Sequence, residues 1–240
     1  SEEIADSSQA RKLSYEVPAI GQEPIETNGA YIQDSHIYMQ GHKICKVHDV
    51  KLLGRHNLEN VCASIAATWT IVGYQPKIYK KVLQAFTGLE HRLEMVANIN
   101  GVTYVNDSFG TTPETAIVAI KSFNQPKIMI LGGSDKGAEF SELAQTIING
   151  NVKYVIGIGV MGPKIINTIK AYDAEKKIGT TLLDASVKMP EIIEQANKLA
   201  VKGDVVLLSP ACASFDMFEN YIERGVQFKQ VVQALAKPAK

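Results

Sequence analysis

Val102-Thr-Tyr-Val-Asn-Asp-Ser-Phe-Gly-Thr-Thr-Pro-Glu-Thr-Ala-Ile-Val-Ala-Ile-Lys-Ser122 reads as a strand, a loop and a helix in succession. Val102 to Asn106 has the β-branched, apolar character of a strand. Gly110 allows a turn, and Thr112-Pro113 reads as an N-cap followed by proline at the first helical position. The same grammar repeats downstream. Apolar strands are predicted at Lys127 to Leu131, Tyr154 to Ile158, Thr181 to Leu183 and Asp204 to Leu208. Between them lie helical patterns at Pro113 to Ser122, Glu142 to Ile148, Pro163 to Tyr172 and Pro190 to Val201. A last helix is predicted from about Asp216 to Leu235, broken near Gly225. Upstream, Arg92 to Ile99 pairs with Val102 to Asn106 across Asn100-Gly101, a strong hairpin signal. Strands alternating with amphipathic helices specify an α/β, Rossmann-like, doubly wound and mostly parallel sheet. Ligands of such sheets sit beyond the carboxyl ends of the strands. The loops over 106–113, 131–141, 158–163 and 209–216 are therefore the ones to search.

Before Gly88 the texture differs. Ala30 to Ile37 and Ile37 to Val47 read as antiparallel strands set off by Asn28-Gly29 and Gln40-Gly41-His42. A helix over Asn57 to Val72 carries Val61, Ile65, Trp69 and Val72 on one side; Gly73 stops it, and Pro76 opens another to about Phe86. Two domains are expected, 1–88 and 89–240.

The 240 residues carry 25 basic and 25 acidic side chains, without the basic stripe of a nucleic-acid protein. No apolar run approaches the roughly 18 residues of a membrane span, and the acidic, polar Ser1 to Ala10 is not a signal peptide. Cys45, Cys62 and Cys212 are odd in number and widely spaced, which fits buried thiols in a reducing cytoplasm.

Several residues on the strand-end loops suit anions. Asp107 ends a strand, where it can accept from ribose hydroxyls or simply organise the turn with Thr112. Lys136, in Gly132-Gly-Ser-Asp-Lys136, shares that rim, on a loop whose glycines let backbone approach a ligand; it reads as a carboxylate contact or a solvated lysine. The Walker spacing GxxxxGK[ST] is absent. Small residues in Ser209-Pro-Ala-Cys-Ala-Ser214 let a ligand lie on the backbone, with Ser214 or Asp216 available to cap the last helix; Cys212 has no base beside it in the loop and reads as packing. Asn57 and Asn60, three apart at a helix start, face the same way and suit a purine edge or a cap. Arg92 suits a phosphate, or a pair with Glu94 or Asp107. His56 and His91 lack a second ligand at metal spacing.

In order, GRHNLEN (54–60), GLEHRLE (88–94), VNDSFGTTPE (105–114), GGSDKGAEF (132–140) and LLSPACASFDMFENYIERG (207–225) resemble the Mur ligase family, and most of all its D-glutamate-adding branch. The resemblance implies an ATP- and Mg²⁺-dependent amide ligase, active through an acyl phosphate in cell-wall peptidoglycan synthesis. Its substrates would be ATP, D-glutamate and UDP-N-acetylmuramoyl-L-alanine, with no nucleic acid or membrane partner and a monomeric state. Residues 1–88 would be the tail of a central ATPase domain and 89–240 the C-terminal domain. Asn57 and Asn60 would meet adenine, Asp107 ribose and Arg92 the phosphates. Thr111, Lys136, Ser214, Phe215 and Tyr221 would hold D-glutamate, with Lys136 and Arg92 as the catalytic charges. Phe109 stands where many members carry lysine. The P-loop, carbamylated lysine and metal-binding Glu and His of the central domain match nothing here, so the chain is expected to be a fragment, inactive alone. The alternatives are a folate-polyglutamate ligase, a non-catalytic nucleotide- and amino-acid-binding module, and, more remotely, a serine or cysteine hydrolase.

Overall fold

The computed structural model describes residues 12–19, 21–184 and 186–236; Ser1 to Ala10 lies outside them. The chain divides into two compact units, one up to Thr87 and one from Gly88.

The first unit holds a four-stranded sheet in the order β1 (Tyr15–Glu16), β2 (Ala30–Gln33), β3 (His36–Met39) and β4 (His42–Lys46). β1 joins β2 in parallel, and β2, β3 and β4 are antiparallel. The single run expected over Ala30 to Ile37 is broken by a tight turn at Asp34-Ser35, both at positive φ (47° and 58°). No glycine marks that turn. Polar side chains that tolerate the left-handed region take its place. Helices α1 (Arg55–Val72) and α2 (Pro76–Ala85) follow. Val61 and Ile65 are buried with Ile37 and Met39, and Trp69 and Val72 pack against that core.

In the second unit six strands lie in the order β5 (Glu94–Ile99), β6 (Val102–Asn106), β10 (Val205–Leu208), β7 (Lys127–Gly132), β8 (Val152–Ile158) and β9 (Gly179–Leu182). Only the β5–β6 hairpin at the edge is antiparallel. Val205–Leu208 pairs with Thr103–Asn106 on one side and Lys127–Ile130 on the other. The last strand thus inserts between two earlier ones. Its carboxyl end lies at the switch point, flanked by the loops after β6 and β7.

The helices are α3 (Pro113–Lys121), α4 (Ser141–Asn149), α5 (Gly162–Tyr172), α6 (Met189–Leu199) and α7 (Tyr221–Leu235). Ile128, Ile130, Ile156, Ile158, Val206 and Leu208 pack with Ile192, Ile193, Phe228 and Val232 of α6 and α7. The alternate residues Met129, Leu131, Val155 and Leu207 are equally buried, and strand alternation turns them to the opposite face. Burial of both faces explains the unbroken apolar runs.

Two details of α7 differ from expectation. It starts at Tyr221, capped by the Asn220 side chain, which accepts from Glu223 N at 3.0 Å. Ser214 and Asp216 do not cap it: Ser214 O accepts from Met217 N and Phe218 N in a separate turn. Nor does Gly225 break it. A Cβ there would lie 2.2 Å from His91 Nδ1, so the glycine makes room for a ring.

Glycines of the loop after β7 serve backbone contact. Gly132 (φ 126°) and Gly133 (φ 143°) would place a Cβ 1.9 Å from Ile158 O and 2.1 Å from Ala213 O. Gly137 (φ 73°) faces open space. Gly137→Ala should then cost only the left-handed strain of roughly 1–2 kcal/mol. Gly133→Ala adds a backbone collision, and we expect it to cost about 3 kcal/mol or more in denaturant melts; equal losses for the two variants would contradict this packing.

Candidate functional site

The loops after β6 and β10 are joined by one buried arginine. Arg224 is fully buried and, among the described residues, hydrogen-bonds only to neutral oxygens. Its Nε donates to Ser108 Oγ at 2.9 Å and its Nη2 to Ser108 O at 2.9 Å. Nη1 and Nη2 both reach Cys212 O, at 3.2 and 3.3 Å. Ser108 Oγ in turn donates to Tyr221 O at 2.8 Å, tying the loop to the start of α7. Burial pulls the Arg224 pKa down to about 10, against the opposing fields of Asp216 and Asp107; the group stays charged at neutral pH. Sequence reading missed Arg224. The available signal was its place, four before Phe228 and eight before Val232, on the buried stripe of α7.

Asp107 lies close by, buried, with Oδ1 accepting from Leu93 N (3.1 Å) and Oδ2 from Ser209 Oγ (2.7 Å). Desolvation raises its pKa to about 6, despite those hydrogen bonds and the fields of Arg92 and Arg224. Asp216 gathers the remaining loops. Its Oδ2 accepts from Val160 N (2.9 Å) and its Oδ1 from Ser134 Oγ (3.2 Å), while its own N–H donates to Ser134 Oγ (2.9 Å). An isolated bridge between Ser134 and Ala213 completes the join.

A pocket of about 340 Å³ opens among Leu89, Glu90, His91, Arg92, Phe109, Tyr221 and Ile222. The Arg92 guanidinium carbon lies 5.8 Å from the centre of the Phe109 ring. Tyr221 meets Phe109 edge-on, centroids 5.2 Å apart at 82°. His91 is buried and held by Asn106 Nδ2 at 2.9 Å from its Nδ1. Ser108 N donates to Asn106 Oδ1 (3.2 Å), which orients the amide; His91 Nδ1 is then the acceptor and its proton sits on Nε2.

On the loop after β7, exposed Lys136 has its Nζ 5.8 Å from the Phe215 ring. Ser214 is buried on the adjoining loop, and Thr111 is half-buried just before the α3 cap. Arg92 is therefore grouped with Tyr221, and Lys136 with Phe215, while Asp107 lies beneath with both oxygens engaged. Asn57 and Asn60 belong to the first unit. Asn60 Nδ2 donates to Asn57 Oδ1 at 3.2 Å and Asn57 Nδ2 to Leu53 O at 2.6 Å, so they do share one side at the start of α1. Cys212 is a poor nucleophile, because burial pushes its thiol up to about 12.

Comparison with known proteins agrees with this architecture. A family described as "Mur ligase, glutamate ligase domain" matches residues 91–212. UDP-N-acetylmuramoylalanine–D-glutamate ligase of Caldanaerobacter subterraneus subsp. tengcongensis is 40% identical over 210 residues, 88% of this chain and 45% of that protein. The enzyme of the same name from Natranaerobius thermophilus is 40% identical over 233 residues, covering 95% of this chain and 48% of its own. This chain thus spans a little less than half the length of these curated relatives. Among solved structures, the UDP-N-acetylmuramate-alanine ligase of Thermotoga maritima superposes with a TM-score of 0.57 at 18% identity, over 83% of this chain and 42% of that one. The Mycobacterium tuberculosis folylpolyglutamate synthase complexed with ADP gives 0.56 at 11% identity, over 88% and 47%. Those likenesses show a shared fold. With the matched domain covering the strand-end loops from His91 to Cys212, the chain belongs to the Mur ligase family.

Proposed function

We infer that this chain supplies the ribose- and amino-acid-binding half of an ATP-dependent ligase that joins D-glutamate to UDP-N-acetylmuramoyl-L-alanine in peptidoglycan synthesis. One observation carries the reading. An exposed lysine, a buried serine and a second, separate cation lie on loops at the carboxyl ends of one sheet or beside them, in a chain about 40% identical to enzymes of that name. Two cations and flanking hydroxyls are what two carboxylates and a phosphate chain require. On this reading residues 1–88 end a central ATPase domain and 89–240 form the glutamate-binding domain, and the whole acts as a cytoplasmic monomer on small molecules. No helix among the described residues is long and apolar enough to cross a membrane.

In the proposed reaction the alanyl carboxylate takes the γ-phosphoryl group of ATP, releasing ADP. The D-glutamate amine then attacks the acyl phosphate, inorganic phosphate leaves, and an amide remains. Lys136, Ser214 and Thr111 hold the glutamate carboxylates, with Phe215 and Tyr221 flanking them. Arg92 meets the phosphates, Asp107 a ribose hydroxyl, and Asn57 and Asn60 the adenine edge. Magnesium accompanies ATP in such chemistry. Among the described residues no group of three His, Cys, Asp or Glu side chains is placed to hold a metal, so the roles assigned here are those of side chains that meet anions and hydroxyls.

The test is ADP release by the protein made from its complete reading frame. It should require both D-glutamate and UDP-N-acetylmuramoyl-L-alanine; turnover with a pteridine acceptor and L-glutamate instead would overturn the assignment. Lys136→Ala or Ser214→Ala should each raise the D-glutamate KM by about 10- to 100-fold, the loss of one charge-assisted contact. Unchanged KM values would remove these residues from the site.

Asp107 adds a pH signature. A ribose hydroxyl is best accepted by the ionised carboxylate, so the ATP KM should rise as pH falls below about 6, and Asp107→Asn should flatten that rise. Folding carries the opposite sign. The folded value of about 6 exceeds the reference 3.8, so the contribution is full below 3.8 and is lost as pH rises through 6. That loss is roughly 3 kcal/mol. Urea melts of Asp107→Asn across this range should lack it.

A further inference from the structure

We propose that Phe109 is a positioning residue, whose ring holds the Arg92 guanidinium at the mouth of the pocket as an unpaired cation ready for an incoming phosphate; this rests on the phosphate role given to Arg92 above. Arg92 follows Glu90 and precedes Glu94, and either would ordinarily capture it. Neither pairs with it among the described residues. Lys229 Nζ, on α7, lies 2.9 Å from Glu90 Oε1 and 2.6 Å from Glu94 Oε1. Glu94 Oε2 is taken by His91 N (3.0 Å) and Asn106 Nδ2 (3.1 Å). Asp107, the third nearby carboxylate, accepts from Leu93 N and Ser209 Oγ and meets Arg92 only through its field, with no ion pair between them. Among the described residues no carboxylate pairs with Arg92, and its guanidinium lies over the face of Phe109 at 5.8 Å.

The ring is itself fixed in place. Phe109 N donates to His91 O at 2.9 Å, which joins its loop to the backbone beside Arg92. Tyr221, the first residue of α7, braces it edge-on. A ring that is 46% exposed gives little to the core, so holding the cation is the role its surroundings leave it. Such a contact fixes direction without neutralising charge. A cation on an aromatic face keeps its hydrogen-bond donors free, whereas a carboxylate would engage them.

The experiment is a double-mutant cycle in the full-length protein, read as the Kd of ATP by titration calorimetry. Arg92→Ala should weaken ATP at least about tenfold. Phe109→Leu keeps an apolar side chain but removes the ring, and should weaken ATP roughly two- to five-fold. In the Arg92→Ala background Phe109→Leu should change nothing further, whereas with Arg92 present Phe109→Trp should keep the affinity that Phe109→Leu loses. A second readout needs no nucleotide: the ring-current shift of the Arg92 Nε–H resonance should vanish in Phe109→Leu and survive in Phe109→Trp. An unchanged Arg92 resonance, or a Phe109→Leu effect that persists undiminished without Arg92, overturns the positioning role. No loss of affinity in Arg92→Ala, with the resonance shift intact, instead removes the phosphate role and leaves the ring's hold on the guanidinium standing.

Discussion

A single buried guanidinium sets the geometry of the crevice. Arg224 gives up water entirely and receives no carboxylate in exchange, only carbonyl and hydroxyl oxygens of Ser108 and Cys212. Burying an unpaired charge is costly unless its donors are satisfied. The planar fork satisfies them on two loops at once, which a lysine with its point charge would not. Those two loops carry Asp107, Phe109 and Thr111 on one side and Ser214 and Phe215 on the other. Fixing Ser108 and Cys212 relative to α7 therefore fixes these side chains relative to one another. The nearby negative fields of Asp107 and Asp216 keep the arginine charged, and its positive field works against the raised pKa of Asp107.

The topology explains why this tie is needed. β10 enters between β6 and β7 after the chain has travelled out through β8 and β9. The loops that meet at its end are about a hundred residues apart in sequence, and no local turn chemistry can align them. Alignment instead comes from direct backbone approach, through Gly132 and Gly133, and from polar ties: Arg224 to Ser108 and Cys212, Asp216 to Ser134 and Val160, Ser209 to Asp107. A strand-end site on a parallel sheet is assembled from distant segments by such contacts, over a core supplied by the alternating apolar runs.

That division also sets what the sequence could disclose. The strands and helices after Gly88 were legible because both sheet faces are buried, and runs such as Lys127 to Leu131 announce themselves. The hairpin at Asn100-Gly101 was legible from its turn residues alone. The Asp34-Ser35 turn was not, since it lacks glycine and interrupts an apolar run. The start of α7 was misplaced because two plausible capping residues, Ser214 and Asp216, precede the true cap; Asp216 serves a long-range tie that local pattern cannot show. Gly225 reads as a break in sequence, but what it provides is room for His91, 134 positions earlier. The loops holding Asp107, Lys136 and Ser214 were picked out correctly as strand ends. What those side chains touch, and Arg224 beneath them, depended on partners that only the folded chain brings near.

The charges of the crevice follow one pattern. Four carboxylates near these loops have partners within the unit: Glu90 and Glu94 in Lys229, Asp107 in Leu93 and Ser209, Asp216 in Ser134 and Val160. Its two outward cations, Arg92 and Lys136, rest instead on the faces of Phe109 and Phe215, each at 5.8 Å. A resting contact of this kind contributes about 0.5–1 kcal/mol at an exposed site. A charge-assisted hydrogen bond to an arriving anion contributes about 1.5–3 kcal/mol, so exchanging one for the other is downhill. Had either cation rested in a carboxylate pair, an anionic ligand would first have to break an interaction as strong as the one it offers. Partnering of these four acids and the resting of both bases on aromatic rings would favour anions on the proposed reading, even though the chain as a whole carries no net charge.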